Sequence, residues 1–400
     1  MQTAISLLPN HVVGIYEEMK GEVERRVFEI DYKGWLKKMM EDVSVEEFEE
    51  IIGVPDYVRG AGRKNLRNGF YTRSLDTVFG WIQDLKIPRP RLGGFQPSCL
   101  EKKHGRRQEV LNRLTMECFR RGVSTRDVDR ILHALCGVPI SASSVSRLTA
   151  TWDHDVKAWH QRELSDEYVY LMFDGIWIKN RSLGKIRRLI LVAYGIKSDG
   201  SREIIDYMFT GSEKEENWLK FLTNLHYRGV EGKNLQLITT DGCVGLANAI
   251  AIVYPTIPHQ LCWAHKMRNI LKSVKKDDAK LVQQGLSPLF RENDWTEKKA
   301  MSLIKGWMKS WKAKYPKAVL CLERDLEKLL LYLACDPKHH KAIRTSNHIE
   351  RQFKEYRRRM KPMEITPNRD SADRILYSLT MIRNDKLKRY PIAFTQKTLH

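Results

Sequence analysis

The sequence predicts an α/β protein in which a mixed β-sheet is covered by helices. Residues 1–57 and 105–160 carry helical periodicity, and so do residues 266–361. Between them, from about residue 165, short β-branched and aromatic runs are separated by turn residues. Because these strand runs first follow one another and then alternate with helices, a mixed sheet with helices on its faces is expected.

The N-terminal part is predicted to be a helical region, residues 1–57, followed by a basic linker with a hairpin, residues 58–104. Asn68-Gly69 and several Gly and Pro residues break the helical pattern, and a short hairpin is expected over residues 79–97. Phosphate contact and a solvated linker are equally compatible with its basic cluster, which consists of Arg89, Arg91, Lys102, Lys103, Arg106 and Arg107.

Residues 105–162 have the form of a helix-turn-helix DNA-binding domain. Ser124 or Thr125 can cap a first helix, a Gly137/Pro139 break follows, and Ser141 can cap a second helix. The second helix offers small polar residues to a major groove, namely Ser143, Ser144, Ser146 and Arg147. An ordinary helical hairpin explains the pattern equally well.

The following region predicts the element order β-β-β-α-β-α-β. Two strands surround a turn at residues 198–200, and a helix with Ser212 and Glu215 spaced as a capping box comes next. A strand ending near Asp241, a helix and a short strand at residues 258–265 complete the series.

The charge predicts a nucleic-acid partner. Lys and Arg total 69 against 49 acidic residues, which gives a formal net charge of +20. An anionic membrane surface is the second explanation. No apolar run is long enough to span a membrane, and no signal peptide is predicted. Seven cysteines without framework spacing favour reduced thiols and a cytoplasmic location.

Two aspartates directly follow apolar strand runs. An acidic residue is not expected in the core of such a strand. Asp174 follows YVYLMF and Asp241 follows LQLITT, and each precedes a glycine. A single Asp-Gly is usually a turn. Because active groups of helix-covered sheets gather at strand ends, two such aspartates in one sheet point to a functional site.

Glu350 stands at the head of a basic helix. Asn347 is placed to cap that helix, and basic residues follow at helical spacing, namely Lys354, Arg357, Arg358 and Lys361. A solvated basic helix explains the run taken alone. Together with Asp174 and Asp241, Glu350 can instead hold two Mg²⁺ ions, about 3.5–4 Å apart, that contact a phosphodiester. Mn²⁺ is a possible substitute.

The chain resembles the bacterial insertion-sequence transposases of the Mutator-like family, which use an Asp-Asp-Glu triad. The resemblance covers most of the chain and rests on the order and spacing of five blocks: FDGIWIK, TTDGCVGLANAI, HQLCWAHKMRN, WKAKYP and IRTSNHIERQFKEYRRRMK. The chain departs from the family in RQF after Glu350, which affects local DNA contacts but not the triad.

The resemblance implies an RNase H-like catalytic core, residues 163–270 and 341–400, with an all-helical insertion at residues 271–340. It implies Mg²⁺-dependent cleavage of terminal inverted repeats and strand transfer of the 3′-OH into target DNA, with Asp174, Asp241 and Glu350 as metal ligands. Family members typically move through a copied circular intermediate. The expected partners are double-stranded DNA and at least one further copy of the chain, and the expected location is the bacterial nucleoid.

Further candidates surround the triad. Cys262 and His265, with His259 nearby, are expected to pack beside the active site and to place Arg268 and Asn269 near DNA. One Cys-His pair cannot complete a zinc site. The missing half of such a site could come from Cys335 with His339 or His340.

Trp311 belongs to the predicted helical insertion. Trp311 can be interpreted as a residue of the hydrophobic core. The functional alternative is that its ring stacks on an unpaired base of the DNA. Trp307, one turn earlier, is the alternate for that role.

Two other functions compete with transposition. A DNA-binding protein that is derived from a transposase but does not catalyse would keep the fold, although the intact acidic triad counts against it. An RNase H-type nuclease would keep the carboxylates, although the basic N-terminal region, in which a recognition helix is one of the two interpretations, counts against that function.

Overall fold

The computed structural model describes residues 32–55, 58, 62–100, 105–179, 187–291, 295–360 and 368–393. Predictions for residues 1–31 and for Lys102, Lys103 and Lys361 lie outside these ranges. The chain divides into two compact units, Met1–Thr151 and Trp152–His400.

The first unit contains a helix, a two-stranded hairpin and three further helices. Their bounds are α1 (Tyr32–Ile52), β1 (Arg67–Thr77), β2 (Gly80–Pro90), α2 (Glu109–Arg120), α3 (Thr125–Cys136) and α4 (Ala142–Ala150). The hairpin is longer than the predicted one because Asn68-Gly69 lies inside β1. The pairing register shifts there and Gly69 has a φ of 68°, so this dipeptide forms a bulge within the strand.

The predicted caps of the helix-turn-helix are confirmed. The Ser124 side chain accepts a hydrogen bond from the Asp127 backbone N–H at 3.2 Å, and Ser141 accepts one from Ser144 at the same distance. Gly137 ends α3 in the left-handed conformation, with a φ of 64°. Local hydrogen bonds of these side chains therefore set the bounds of α3 and α4.

The second unit contains one five-stranded sheet and its covering helices. Its first elements are α5 (Asp153–Gln161), β3 (Tyr168–Lys179), β4 (Arg187–Lys197), β5 (Arg202–Thr210), α6 (Glu215–Tyr227), β6 (Leu237–Thr240), α7 (Val244–Val253) and β7 (His259–Leu261). This confirms the predicted element order. The strand order across the sheet is β5-β4-β3-β6-β7, with β3, β4 and β5 antiparallel and β6 and β7 parallel to β3.

The remaining described elements are helical, as predicted for residues 266–361. They are α8 (Trp263–Leu271), α9 (Lys276–Leu286), α10 (Pro288–Arg291), α11 (Glu297–Trp311), α12 (Pro316–Glu323), α13 (Leu326–Leu330), 3₁₀ turns at Leu331–Ala334 and Pro337–His339, α14 (His340–Ile343), α15 (Asn347–Met360) and α16 (Arg369–Arg389). None of the helices in the described ranges is long and apolar enough to cross a membrane.

Helices α6 and α7 pack on one face of the sheet through an apolar core that includes Phe173, Trp218 and Ile250. The predicted capping box of α6 is wrong: Lys214 precedes the helix and makes no side-chain cap. Ser212 lies in the loop before it, where its carbonyl and hydroxyl both accept from the Asn217 side chain at 3.1 Å.

Helices α5 and α16 belong to the sheet unit. Asp153 of α5 forms an ion pair with Arg374 at 2.5 Å, and Asn384 of α16 bonds both backbone groups of Ile204 in the edge strand β5. The division at Thr151 therefore precedes the predicted boundary at residue 162, because α5 packs with α16.

The helical segment between α8 and α14 is anchored to the end of the sheet by buried polar contacts. Gln260 and the Trp263 indole both donate to the Leu329 carbonyl, at 2.9 and 2.7 Å. Lys266, which is only 6% exposed, pairs with Asp325. These bonds satisfy groups whose burial would otherwise be costly.

Candidate active site

Asp174 and Asp241 lie level with each other on neighbouring parallel strands. Met172 of β3 pairs with Thr239 of β6, and each aspartate comes two residues later. Asp241 directly follows β6, as predicted. The prediction that Asp174 ends its strand is wrong, because β3 continues to pair with β4 as far as Lys179. The pairing of β3 with β6, however, ends before Asp174.

Glu350 lies in the first turn of α15. Its backbone N–H donates to the carbonyl of Ser346 at 3.1 Å. Asn347 is the first residue of that helix and is exposed, so its predicted role as the cap is wrong. Ser346, the residue before the helix, is fully buried.

The three carboxylates interact electrostatically. Burial, together with the negative charges of Asp241 and Glu350, raises the pKa of Asp174 to about 8. Within the described ranges, the two aspartates accept hydrogen bonds from nearby backbone, Asp174 from the Gly175 N–H at 2.7 Å and Asp241 from the Cys243 N–H at 3.0 Å. Neither aspartate forms an ion pair with a basic side chain in the described ranges.

Glu350, in contrast, has basic neighbours. Its Oε1 accepts from Arg268 Nη2 at 2.6 Å and lies 3.5 Å from His265 Nε2. As the side chains stand, no three His, Cys, Asp or Glu side chains of the described residues are grouped to hold one ion. An ion shared with the aspartates would therefore have to approach a carboxylate that Arg268 already contacts through Oε1.

Cys262 and His265 connect the start of α8 to the start of α15. The buried Cys262 Sγ accepts from the backbone and hydroxyl of Ser346, both at 3.2 Å, and that hydroxyl is 3.4 Å from His265 Nδ1. Burial and the Arg268 charge lower the pKa of His265, which favours its neutral form. The pair thus lies next to Glu350 and fixes the beginning of its helix.

The residues suggested for the second half of a zinc site have other partners. His339 Nδ1 is 2.7 Å from the Tyr170 hydroxyl, and His340 Nε2 is 2.9 Å from the Cys335 carbonyl. His259 Nε2 is 2.7 Å from the Thr240 hydroxyl. In the described part of the chain, these side chains do not gather with Cys262 and His265 as a set of ligands.

Glu213 is an acid near the aspartates that sequence reasoning missed. A Cβ atom added to Gly175, the neighbour of Asp174, would lie 2.8 Å from Glu213 Oε1. Burial and the Asp241 charge raise the pKa of Glu213. The sequence carries a signal for this residue, because Glu213 follows closely after the strand run that ends at Thr210.

The predicted DNA-contacting residues of this unit are exposed on the two helices that carry His265 and Glu350. Those on α8 are Arg268 and Asn269, and those on α15 are Asn347, Lys354, Arg357 and Arg358. The opposite side of α15 is buried through Ile349, Phe353 and Tyr356. A basic surface with this composition suits a phosphate backbone.

Ser144 and Arg147 lie on α4, in the Met1–Thr151 unit. Arg147 is exposed and its Nη2 donates to the Ser144 hydroxyl at 3.2 Å. Both residues line a cleft of about 430 Å³ together with Arg106 and Arg107. The exposed side of the second helix of the helix-turn-helix therefore carries polar and basic groups.

Trp311 ends α11 and is half-buried, with its ring 5.9 Å from that of Tyr315. It lines an open groove with Trp295 and Gly306. Trp307 is only 4% exposed, and its indole donates to the Val282 carbonyl at 2.9 Å. Trp307 is therefore a core residue, whereas part of the Trp311 ring remains accessible.

Comparison with known proteins adds an independent line of evidence. Residues 17–389 match the family model described as "Transposase, Mutator family". The chain is 33% identical over 374 residues to the transposase for insertion sequence element IS256 in transposon Tn4001 of Staphylococcus aureus, with 92% of this chain and 94% of that protein covered. It is 32% identical over 347 residues to the transposase for ISRM5 of Rhizobium meliloti, with 86% of each chain covered.

Among solved structures, the Drosophila P element transposase strand transfer complex aligns over 70% of this chain and 93% of that chain, at 10% identity. The TM-score is 0.32, which is below the level that demonstrates a shared fold.

Proposed function

Because the chain belongs to the Mutator family of transposases, we propose that it moves an insertion sequence by cleaving DNA at the ends of the element and joining the freed 3′-hydroxyl to target DNA. One observation carries this proposal: Asp174 on β3 lies level with Asp241, which directly follows β6, and the charge of Glu350 contributes to the raised pKa of Asp174. The curated relatives are themselves named as transposases of insertion sequences.

The proposed catalytic core is RNase H-like. A sheet of three antiparallel strands followed by two parallel ones supports this proposal, as does the helical segment inserted between Asp241 and Glu350. The two segments of the proposed core contact each other directly, since the Thr239 hydroxyl of β6 donates to the Ile343 carbonyl at 2.8 Å and the Trp263 backbone donates to the Arg344 carbonyl at 3.1 Å.

Asp174, Asp241 and Glu350 would hold two Mg²⁺ ions, with Mn²⁺ as a substitute. Their carboxylate oxygens are the hard ligands that these cations prefer. The raised pKa of Asp174 supports the assignment, because a neighbouring cation would stabilise its ionised form. Held by these three residues, the ions would supply activation of the attacking oxygen and stabilisation of the leaving oxygen of the phosphodiester.

The residues of the chain itself would position the DNA. Arg268, Lys354, Arg357 and Arg358 carry the charge that holds phosphates beside the carboxylates, and α4 would read the terminal inverted repeats through Ser144 and Arg147. Since two ends of one element have to be joined in the same reaction, the proposed active form contains at least two copies of the chain. Because its partner would be DNA, the protein would act at the bacterial nucleoid.

One assay tests this function. The protein is incubated with Mg²⁺ and a duplex that carries the end of its element, and also with a scrambled duplex and an RNA–DNA hybrid. We expect nicks only at the element end, and none with Asp241→Ala, which should still bind the duplex. Binding without cleavage would instead support a non-catalytic DNA-binding protein. Degradation of the hybrid regardless of sequence would support a nuclease.

A further inference from the structure

A cleft of about 430 Å³ lies beside the second helix of the helix-turn-helix, within the Met1–Thr151 unit. The end of β1, the residues that precede α2, and α4 border this cleft. Arg106 and Arg107 line it from the residues before α2, and Arg147 lines it from α4. Because these segments are distant in the sequence, the fold itself brings three guanidinium groups to one cleft.

Strand β1 fixes the residues before α2. The Asp76 backbone N–H donates to the Arg106 carbonyl at 2.8 Å, and the Gln108 N–H donates to the Asp76 carbonyl at 3.0 Å. The Arg107 guanidinium lies 3.4 Å from the Asp76 carboxylate and 3.5 Å from the Pro139 carbonyl, in the turn before α4. Arg107 therefore links the hairpin to the helix-turn-helix, and the backbone bonds next to it hold Arg106 at the cleft.

The two acids that line the cleft have partners of their own. Asp76 pairs with Arg107, and it acts on Arg106 only through the longer-range attraction between their charges. Glu109 accepts a hydrogen bond from the Asn112 side chain at 3.2 Å. Within the described residues, therefore, neither carboxylate of the cleft forms an ion pair with Arg106.

Arg106 and Arg147 remain available to a ligand. Both side chains are exposed. Arg147 donates to the Ser144 hydroxyl at 3.2 Å, whereas the Arg106 side chain makes no hydrogen bond or ion pair in the part of the chain that the structure describes. Guanidinium groups match the oxygens of a phosphate, which accept two parallel N–H bonds. A cleft with this lining therefore suits a phosphate group.

The position of the cleft next to α4 favours a phosphate of DNA. Ser144 and Arg147, which are proposed to read the terminal repeats, line the same cleft as Arg106. A DNA strand whose bases contact α4 therefore passes with its backbone beside Arg106. Contacts to the backbone set the register of a reading helix on the duplex, whereas contacts to base edges specify the sequence.

We propose that the cleft holds one phosphate of the DNA backbone through Arg106 and so fixes the position of α4 on the element end. The inference rests on the proposed function, because that function places α4 on DNA. Arg107 supports the cleft, since Asp76 neutralises its charge and its contacts hold the segment that carries Arg106. Arg106 and Arg147 thus have different tasks, because the first contacts the backbone of any duplex and the second reads bases.

The salt dependence of binding tests this proposal with the whole protein. Fluorescence anisotropy measures the affinities of the wild type and of Arg106→Ala for the element end and for a scrambled duplex at several salt concentrations. We expect the variant to bind both duplexes about fivefold more weakly, and the slope of log affinity against log salt to become shallower by about 1. Its Tm should equal that of the wild type, because Arg106 is exposed.

Two further variants control for charge and for position. Arg106→Lys keeps the positive charge and should keep the wild-type slope. Arg113→Ala removes an exposed arginine of α2 that does not line the cleft, and it should keep the wild-type affinity and slope. If Arg113→Ala changes the slope as much as Arg106→Ala does, the cleft is not the site of the contact.

Neutral phosphates locate the contact on the DNA. Each phosphate of the element end is replaced in turn by an uncharged methylphosphonate. One replacement beside the bases that α4 reads should weaken wild-type binding about fivefold but weaken the binding of Arg106→Ala by less than about twofold, because the variant has already lost that contact. If every replacement weakens the two proteins equally, the inference is overturned.

The outcomes separate the phosphate contact from the proposed function. If the wild type prefers the element end but Arg106→Ala keeps the wild-type slope, the phosphate contact is overturned and the reading of the ends stands. If the wild type binds both duplexes equally well, the proposed reading of the ends is overturned, and the slope of Arg106→Ala still decides whether the cleft holds a phosphate.

Discussion

Arg268 donates a 2.6 Å hydrogen bond to Glu350, so a basic side chain of the protein pairs with the third carboxylate of the proposed site. The two residues are 82 positions apart and lie on α8 and α15. A cation and Arg268 would therefore compete for Glu350. Once released, Arg268 is free to contact a phosphate, so the same exchange could couple ion binding to DNA binding.

Replacing Arg268 with alanine is expected to strengthen Mn²⁺ binding in the absence of DNA by about two- to fivefold. This factor corresponds to the loss of a half-exposed ion pair of about 0.5–1 kcal/mol. Calorimetry measures it. Lys272→Ala is the control, because Lys272 is a cation directly after the end of α8 that bonds Asn269 instead of Glu350. An equal gain in Mn²⁺ affinity in both variants would mean that the affinity depends on the net charge of the protein and not on the pairing of Arg268 with Glu350.

Arg147→Ala is expected to weaken binding to the element end by about tenfold, since a side chain that contacts a base edge contributes about 1–3 kcal/mol. Binding to a scrambled duplex should change much less. Fluorescence anisotropy measures both affinities at one salt concentration. Arg130→Ala removes an exposed arginine of α3 that is paired with Asp127 and serves as the control. Equal losses on both duplexes would argue against base reading by α4.

Trp311→Ala is expected to weaken binding to an element end that carries unpaired bases by about tenfold, because one stacked base contributes about 1–3 kcal/mol. Binding to the fully paired duplex should stay unchanged. Trp311→Phe keeps an aromatic face and should retain most of the affinity. If the alanine variant loses thermal stability but binds both DNAs as the wild type does, Trp311 is a packing residue only.

The surroundings of His160 are expected to make the stability of the protein depend on pH. Burial opposes its charged form, but hydrogen bonds to Asp206 at 2.7 Å and Asp373 at 3.2 Å outweigh this effect and raise its pKa to about 9. The folded-state pKa of about 9 is above the unfolded value of 6.5, so protonated His160 stabilises the folded protein. This stabilisation is complete below pH 6.5 and is lost as the pH rises through 9.

The free energy of unfolding of the wild type should therefore fall by about 3 kcal/mol over that interval. Urea unfolding of the wild type and of His160→Gln at several pH values measures the difference. The variant should show a flatter dependence. Parallel curves for the two proteins would exclude His160 as the source.

The sequence predicted the element order of the sheet because local signals determine it. The alternation of strand and helix periods gave β3 to β7 with α6 and α7 between them, and Ser124 and Ser141 marked the caps of α3 and α4. Local signals misled where the same residues serve two structures. Asn68-Gly69, which breaks the helical pattern of the sequence, forms a bulge inside β1, and Ser212 bonds Asn217 instead of capping α6.

The candidate site was only partly predictable for a different reason. Asp174, Asp241 and Glu350 could be named because their surroundings in the sequence were unusual for acids. The contact of Glu213 with Gly175 and the pairing of Arg268 with Glu350 arise from tertiary packing between distant segments, which no local pattern encodes.

Anomalous diffraction from crystals of the protein soaked in Mn²⁺ with an element end tests most directly whether the triad binds divalent ions. Two peaks about 4 Å apart are expected. Both should lie within coordinating distance of Asp174, Asp241 and Glu350, and both should be lost in Asp241→Asn. Peaks located away from Asp174 and Asp241, or a cleavage-competent complex without a peak between them, would contradict the proposed mechanism.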